Sequence, residues 1–340
     1  MPEVSVDQIR ERLQMFEARR KHYEWKSENT EGKLRRHEMW RHEYLADPYL
    51  TGAPDERVAE RFKNIFMNVM ELNQEGKLGP LMAFESDDGF MRKFTHMLEA
   101  YNGAIPTEIV QEARTPFAKY FENDGPIAKR MFDGYEKPTG PILVKYGRRE
   151  FLEEMLQHGR MRIAHAKLYH NDDFLDSVKD DETSRYFFIP TYRERLKGEF
   201  GMEFQGHWIE YGNDDIAIPV VFPDYFVISL CDHIYYRMPT DFDADAALII
   251  REPARFTQRV ISQFLAQWPE WEPSAAPITY YDPYRDYSKI KAPEMCKHFG
   301  YSYQREFRIA FRSKQRIQTE LEPRFISIDT MADYADLVTV

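Results

Sequence analysis

Gln304, Glu306 and Arg308 recur at every second position of the run Tyr301-Ser302-Tyr303-Gln304-Arg305-Glu306-Phe307-Arg308-Ile309-Ala310-Phe311. Side chains of a strand alternate between its faces. Read as one strand over 301–311, the run puts Tyr301, Tyr303, Phe307, Ile309 and Phe311 on one face, interrupted by Arg305. Ser302, Gln304, Glu306 and Arg308 share the other. Such a face holds a carboxylate rigidly beside an amide and a guanidinium, and Arg308 can pair with Glu306 and keep it ionised. A solvated face of an antiparallel strand carries the same kind of pattern.

Other constellations are weaker. Asp172, Asp173, Asp176, Asp180, Asp181 and Glu182 supply oxygen ligands for a divalent cation, but their spacing matches no calcium loop and suits a solvated loop better. His165 and His170 flank Tyr169, and as two His near carboxylates they are weaker candidates for metal ligands. There is no phosphate-binding glycine loop, no Gly-x-Ser-x-Gly, no His-Glu-x-x-His and no paired-cysteine zinc spacing, so no metal site is expected. The basic run Lys33–His37 reads as a solvated helix face, and Trp25 and Trp40 as core residues.

The elements that must position these residues fall into two parts. A chain of 340 residues suits two domains, or one large domain with an extension. Up to about residue 136 the pattern is helical. The expected helices are Val6–Trp25, Gly32–Leu45, one from Asp55 as N-cap to about Glu75, and two at about 88–102 and 106–121. The breaker Lys137-Pro138-Thr139-Gly140-Pro141 marks the boundary. Beyond it come a short strand at 142–146, a helix at 148–158 with Gly159 as its C′ residue, and a strand at 160–164. Strands at 185–189, 203–211, 215–221, 225–231 and 246–250 lead to a helix over 253–268. Strands at 278–281, 301–311 and 325–328 and a closing helix near 330–337 follow. The fold class read here is α+β: an all-helical domain over 1–136, then a mixed or antiparallel sheet domain over 141–340.

Composition narrows the function. A net charge of -11 gives no general field for nucleic acid. Two cysteines, Cys231 and Cys296, in so long a chain point to reduced thiols in a cytoplasmic protein. No segment has the length of a membrane span, and the N-terminus carries no signal pattern.

Residues 141–340 resemble a widespread bacterial family of uncharacterised proteins, some associated with abortive phage infection. The matching pieces are Val144-Lys145-Tyr146-Gly147, Gly159-Arg160-Met161-Arg162-Ile163, Asn171-Asp172-Asp173 with Asp180-Asp181-Glu182, Phe226–Cys231, Asp241–Ala246 and Tyr303–Arg308, in that order. More remotely, the layout resembles the ADP-ribosyltransferase fold. In that fold a first strand bears a basic or aromatic residue, a second bears Ser-Thr-Ser or Tyr, and a late one bears Gln-x-Glu or Glu-x-Glu. Gln304-Arg305-Glu306 fits the third element and Ser229 stands for the second, without a Ser-Thr-Ser. Lys145 and Tyr146 occupy the first, where Arg or His is usual.

The resemblance implies NAD as substrate. Cleaving the nicotinamide–ribose bond builds positive charge on the ribose, as glycoside cleavage does. A fixed Glu306 would stabilise that charge and bind the 2′-hydroxyl, with Gln304 orienting an acceptor. Arg308 would serve Glu306 or a pyrophosphate, and Tyr146 or Tyr169 would stack on nicotinamide. The implied protein is a phage-defence or toxin effector acting on a macromolecular acceptor, with the helical half available for self-association. The rival expectation is a non-enzymatic sensing module built on the same fold; a metal-dependent nuclease using the carboxylates at 172–182 ranks third.

Overall fold

The computed structural model describes residues 4–29, 34–80, 88–122, 126–170, 182–199, 201–204, 206–287, 290, 292–315 and 320–340. The N-terminal half runs α1 (Val6–Asn29), α2 (Arg36–Ala46), α3 (Asp55–Val69), β1 (Met70–Leu72), β2 (Leu78–Pro80), α4 (Asp88–Ala100), α5 (Thr107–Arg114), a 3₁₀ turn (Thr115–Phe121) and α6 (Ile127–Met131). The half is therefore not all-helical. The helix expected to reach Glu75 stops at Val69, where Met70 turns extended and pairs with Pro80 in a hairpin. Pro116 sits at the start of the 3₁₀ turn that cuts the helix expected over 106–121.

The C-terminal half runs β3 (Leu143–Gly147), α7 (Arg149–His158), β4 (Arg160–His165), a 3₁₀ turn (Ala166–His170), β5 (Ser184–Ile189), α8 (Tyr192–Leu196), β6 (Gly201–Phe204), β7 (His207–Glu210) and β8 (Ile216–Val221). There follow β9 (Phe226–Cys231), α9 (Met238–Asp241), β10 (Ala246–Ile250), α10 (Pro253–Gln267), β11 (Trp271–Pro277), β12 (Thr279–Tyr281), β13 (Cys296–His298), a 3₁₀ turn (Phe299–Gln304), β14 (Glu306–Ser313), β15 (Arg324–Ser327) and β16 (Ala335–Thr339). The main sheet has the order β11-β14-β9-β3-β10-β16; β4 joins it through β9, and β15 pairs with β4. Its ladders are antiparallel. Gly159 ends α7 in the left-handed region at φ 62 and donates its N–H to Met155 O. A Cβ there would lie 2.2 Å from Asp329 O, so glycine is required on both counts.

Two further expectations fail and one strand goes unread, each for an identifiable reason. The strand over 301–311 begins only at Glu306, because Phe299–Gln304 is a 3₁₀ turn and Arg305 is left-handed at φ 41. The closing helix near 330–337 is one turn followed by β16, which covers the outer edge of the wholly buried β10. Strand β11 carries Pro273 and Pro277, which conceal it from pattern reading; as an end strand of the sheet it tolerates them.

One sheet face packs α7 and α10 through Leu152, Met155, Phe256, Val260 and Phe264 against Phe226, Ile228, Ile309 and Phe311. On the other, Val144, Tyr146, Cys231 and Ile249 share a core with Phe117, Tyr120 and Met131 of the N-terminal half. Trp40 is buried as expected, whereas Trp25 is 61% exposed and is not a core residue. Among the described residues no helix is long and apolar enough to cross a membrane.

Candidate functional site

Strands β3 and β4 share one edge of β9 and part from each other along it. Val144 of β3 pairs with Cys231, while Ala164 and His165 of β4 pair with Val227 and Phe226. Between these pairings Ile228, Ser229 and Leu230 have no strand partner on that side among the described residues. Lys145 reaches into the gap and donates from Nζ to Ser229 O at 2.9 Å. A cavity of about 230 Å³ opens here, lined among others by Lys145, Tyr146, Tyr169, Ser229, Gln304 and Glu306. These come from separate stretches of the chain and include every site residue picked from the sequence except Arg308.

Glu306 is the centre of the polar wall and is only 5% exposed. Ser229 Oγ donates to its Oε1 at 2.6 Å, and Arg308 Nε donates to the same oxygen at 2.7 Å. Oε2 faces Lys297 Nζ at 3.5 Å. The Glu306 N–H donates to Tyr280 Oη at 2.9 Å, which fixes the backbone as well. Burial alone would raise the carboxyl pKa, but the charges of Arg308 and Lys297 outweigh it and hold Glu306 below the ordinary carboxylate range.

Arg308 does not line the cavity. It is fully buried, with its N–H groups directed at protein. Nη1 and Nη2 grip Glu182 at 2.8 Å each, and Nη1 also reaches Tyr225 Oη at 3.0 Å and Glu294 O at 2.9 Å. Of the two roles expected for it, the geometry supplies the pairing with Glu306 and leaves no contact for a pyrophosphate. Glu182, read from the sequence as part of an acidic run better suited to a solvated loop than to a cation, is instead the second carboxylate of this clamp and also accepts from Arg185 at 3.0 Å. Asp172, Asp173, Asp176, Asp180 and Asp181 lie outside the described residues. His165 is committed to Asp224 at 2.9 Å. Among the described residues no group of three His, Cys, Asp or Glu side chains is placed to hold a metal ion.

The remaining wall is set by short elements. Gln304 stands at the end of the 3₁₀ turn and accepts from Lys297 Nζ at 3.1 Å. The turn is held by Gly300 N–H donating to His298 Nδ1 and by Asn68 of α3, whose Nδ2 donates to the carbonyls of Phe299 and Gly300. The helical half thus positions Gln304 through this turn. Burial lowers the Lys145 pKa and raises those of the Cys231 thiol and the Tyr146 and Tyr169 phenols. The Tyr146 ring stacks on Phe242, with centroids 6.2 Å apart.

Lys297 was missed by sequence reading. It sits in the three-residue β13 between Cys296 and His298, too short to show a period. Both cysteines are buried free thiols. No family model, curated protein or solved structure matches the chain.

Proposed function

We propose that the cavity binds the nicotinamide riboside end of NAD and cleaves its glycosidic bond, transferring ADP-ribose to an acceptor. The observation that carries this reading is the meeting of Lys145, Ser229, Gln304 and Glu306 around one cavity, with Ser229 Oγ donating to Glu306 Oε1 at 2.6 Å. At about 230 Å³ the space is below the roughly 300–1,000 Å³ of whole-ligand sites. It suits one end of a dinucleotide, with the remainder outside.

Two features support the chemistry. Glu306 is ionised and rigid, and a preorganised carboxylate is what a developing ribosyl cation needs. Its Oε1 is occupied by Ser229 and Arg308, whereas Oε2, faced by Lys297 Nζ at 3.5 Å, is the oxygen that would accept from a ribose hydroxyl. As the C–N bond breaks, nicotinamide departs with the electron pair. The acceptor's nucleophile then bonds to the anomeric carbon and releases its proton to solvent. Tyr146 and Tyr169 supply aromatic faces for the leaving ring.

A second reading is favoured by one fact: Gln304 and Glu306 both face Lys297, as members of a structural polar network would. In that case the cavity binds a ligand without turnover. Thermal shift and nicotinamide release with millimolar NAD separate the cases, run beside Glu306→Ala and Gln304→Ala. Stabilisation with release that Glu306→Ala abolishes supports the enzyme. Stabilisation without release supports the binding module, and no shift removes NAD as the ligand.

A further inference from the structure

A different cavity lies behind the turn that carries Gln304, at the seam between α3, α4 and the sheet half. Its volume is about 380 Å³, within the roughly 300–1,000 Å³ range of small-molecule sites. Its lining includes Asn68, Lys93, Arg237, Phe299, Tyr303 and Arg305.

Two of these residues carry buried polar atoms that find no partner among the described residues. Arg237 is 1% exposed. Its Nε donates to Asp241 at 2.8 Å, and its Nη1 to Met67 O at 2.6 Å and Met70 O at 3.3 Å. Its Nη2 has no hydrogen-bond partner. Asn68 spends its Nδ2 on backbone carbonyls, and its Oδ1 has no partner either. Buried donors and acceptors are normally satisfied, so each orphan asks for a ligand group. One asks for an acceptor and the other for an N–H donor.

The rest of the lining narrows the chemistry. Lys93 and Arg305, the latter paired with Asp232, add positive charge beside Arg237 and outnumber the one lining carboxylate, Glu71, which suits phosphate. Phe299 and Tyr303 offer ring faces, and Tyr303 already stacks on the Arg237 guanidinium at 3.9 Å. A flat ring bearing an amino group, joined to a phosphate, meets all four demands at once.

We propose that this seam cavity is a binding site for an aminopurine nucleotide, separate from the cavity at Glu306. Arg237, with Lys93 at the rim, takes the phosphate. The Asn68 carbonyl oxygen accepts from the ring amino group. The inference does not rest on NAD cleavage, since no residue of the Glu306 wall takes part.

The test is calorimetric titration of the full chain with AMP, adenosine and inorganic phosphate in parallel. AMP should bind, and adenosine and phosphate should each bind at least about tenfold more weakly, because each lacks one set of contacts. Lys93→Glu at the rim should weaken AMP at least about tenfold in a protein that still unfolds in a single transition. Glu306→Ala should leave AMP affinity as it was, which separates this site from the other cavity. Failure of AMP to bind, equal binding of phosphate alone, or AMP binding lost in Glu306→Ala and kept in Lys93→Glu would each overturn the proposal.

Discussion

Arg308 Nε lies 2.7 Å from Glu306 Oε1, two residues away on one face of β14, while its other nitrogens hold Glu182. One guanidinium thus separates two buried carboxylates that would otherwise repel. Removing one partner of a buried charged cluster is far costlier than removing the whole cluster, because the remaining charges stay desolvated. Arg308→Met should therefore lose about 3–5 kcal/mol in urea unfolding. Glu182→Leu added to Arg308→Met should recover part of that loss. A stability change under about 1 kcal/mol for Arg308→Met would show that the two carboxylates are not held as described.

Ser229 tests the same centre more gently. Its hydroxyl donates to an ionised carboxylate, and such bonds contribute about 1.5–3 kcal/mol. Ser229→Ala leaves Arg308 in place, so the protein should fold with a loss in that range. If Glu306 acts on NAD, nicotinamide release should fall as well, with Ser229→Thr rescuing part of it. Equal activity in Ser229→Ala would remove Ser229 from the site.

How far the sequence exposed this arrangement depends on segment length. From Glu306 onward the period-two reading holds: Glu306 and Arg308 share one face, Phe307, Ile309 and Phe311 the other. Before it, Tyr301 to Gln304 alternate just as regularly yet form a 3₁₀ turn. What decides the turn is remote: Asn68 on α3 takes the Phe299 and Gly300 carbonyls, and Asp232 pairs with the left-handed Arg305. No local period encodes a hydrogen bond from a residue more than two hundred positions away. Lys145 and Ser229 were readable as members of short buried strands, but the parting of β3 and β4 that lets them meet is a property of the sheet. Glu182 was readable only as one of a run of acidic residues and Lys297 not at all, since each lies where the chain has no pattern to interrupt.

Acid should reveal Asp215, which burial pushes up to about 6, with Asp214 adding to the rise and Tyr284, Thr191 and Arg57 opposing it. The folded protein then holds this proton more tightly than the unfolded chain, whose ordinary value is 3.8. The resulting stability is fully present below about pH 4 and is lost as pH rises through about 6. Asp215→Asn should flatten the dependence. Melting temperatures of the two proteins should converge toward pH 4 and separate above pH 6, with the variant the more stable there. Parallel curves across that window would contradict the assignment.

The seam between the halves offers the last test. Arg61 on α3 grips Asp282 through two hydrogen bonds of 2.9 and 2.6 Å, and both side chains are buried. The guanidinium also lies over the rings of Tyr49, Tyr284 and Phe299, the last of which begins the turn carrying Gln304. Burial raises the cost of each charge, yet the Asp282 carboxyl is held well below its ordinary range by Arg61. Asp282→Ala should thus cost about 3–5 kcal/mol, and Arg61→Met about as much. The double variant Arg61→Met with Asp282→Leu should be less damaged than the sum, leaving a coupling of about 2 kcal/mol or more. Because the helices and the sheet share a buried core through Phe117, Tyr120, Val144 and Tyr146, unfolding should stay a single transition in all three variants. Two separate transitions, with the first assigned to the N-terminal half, would show that Arg61 and Asp282 hold the halves together and the shared core does not.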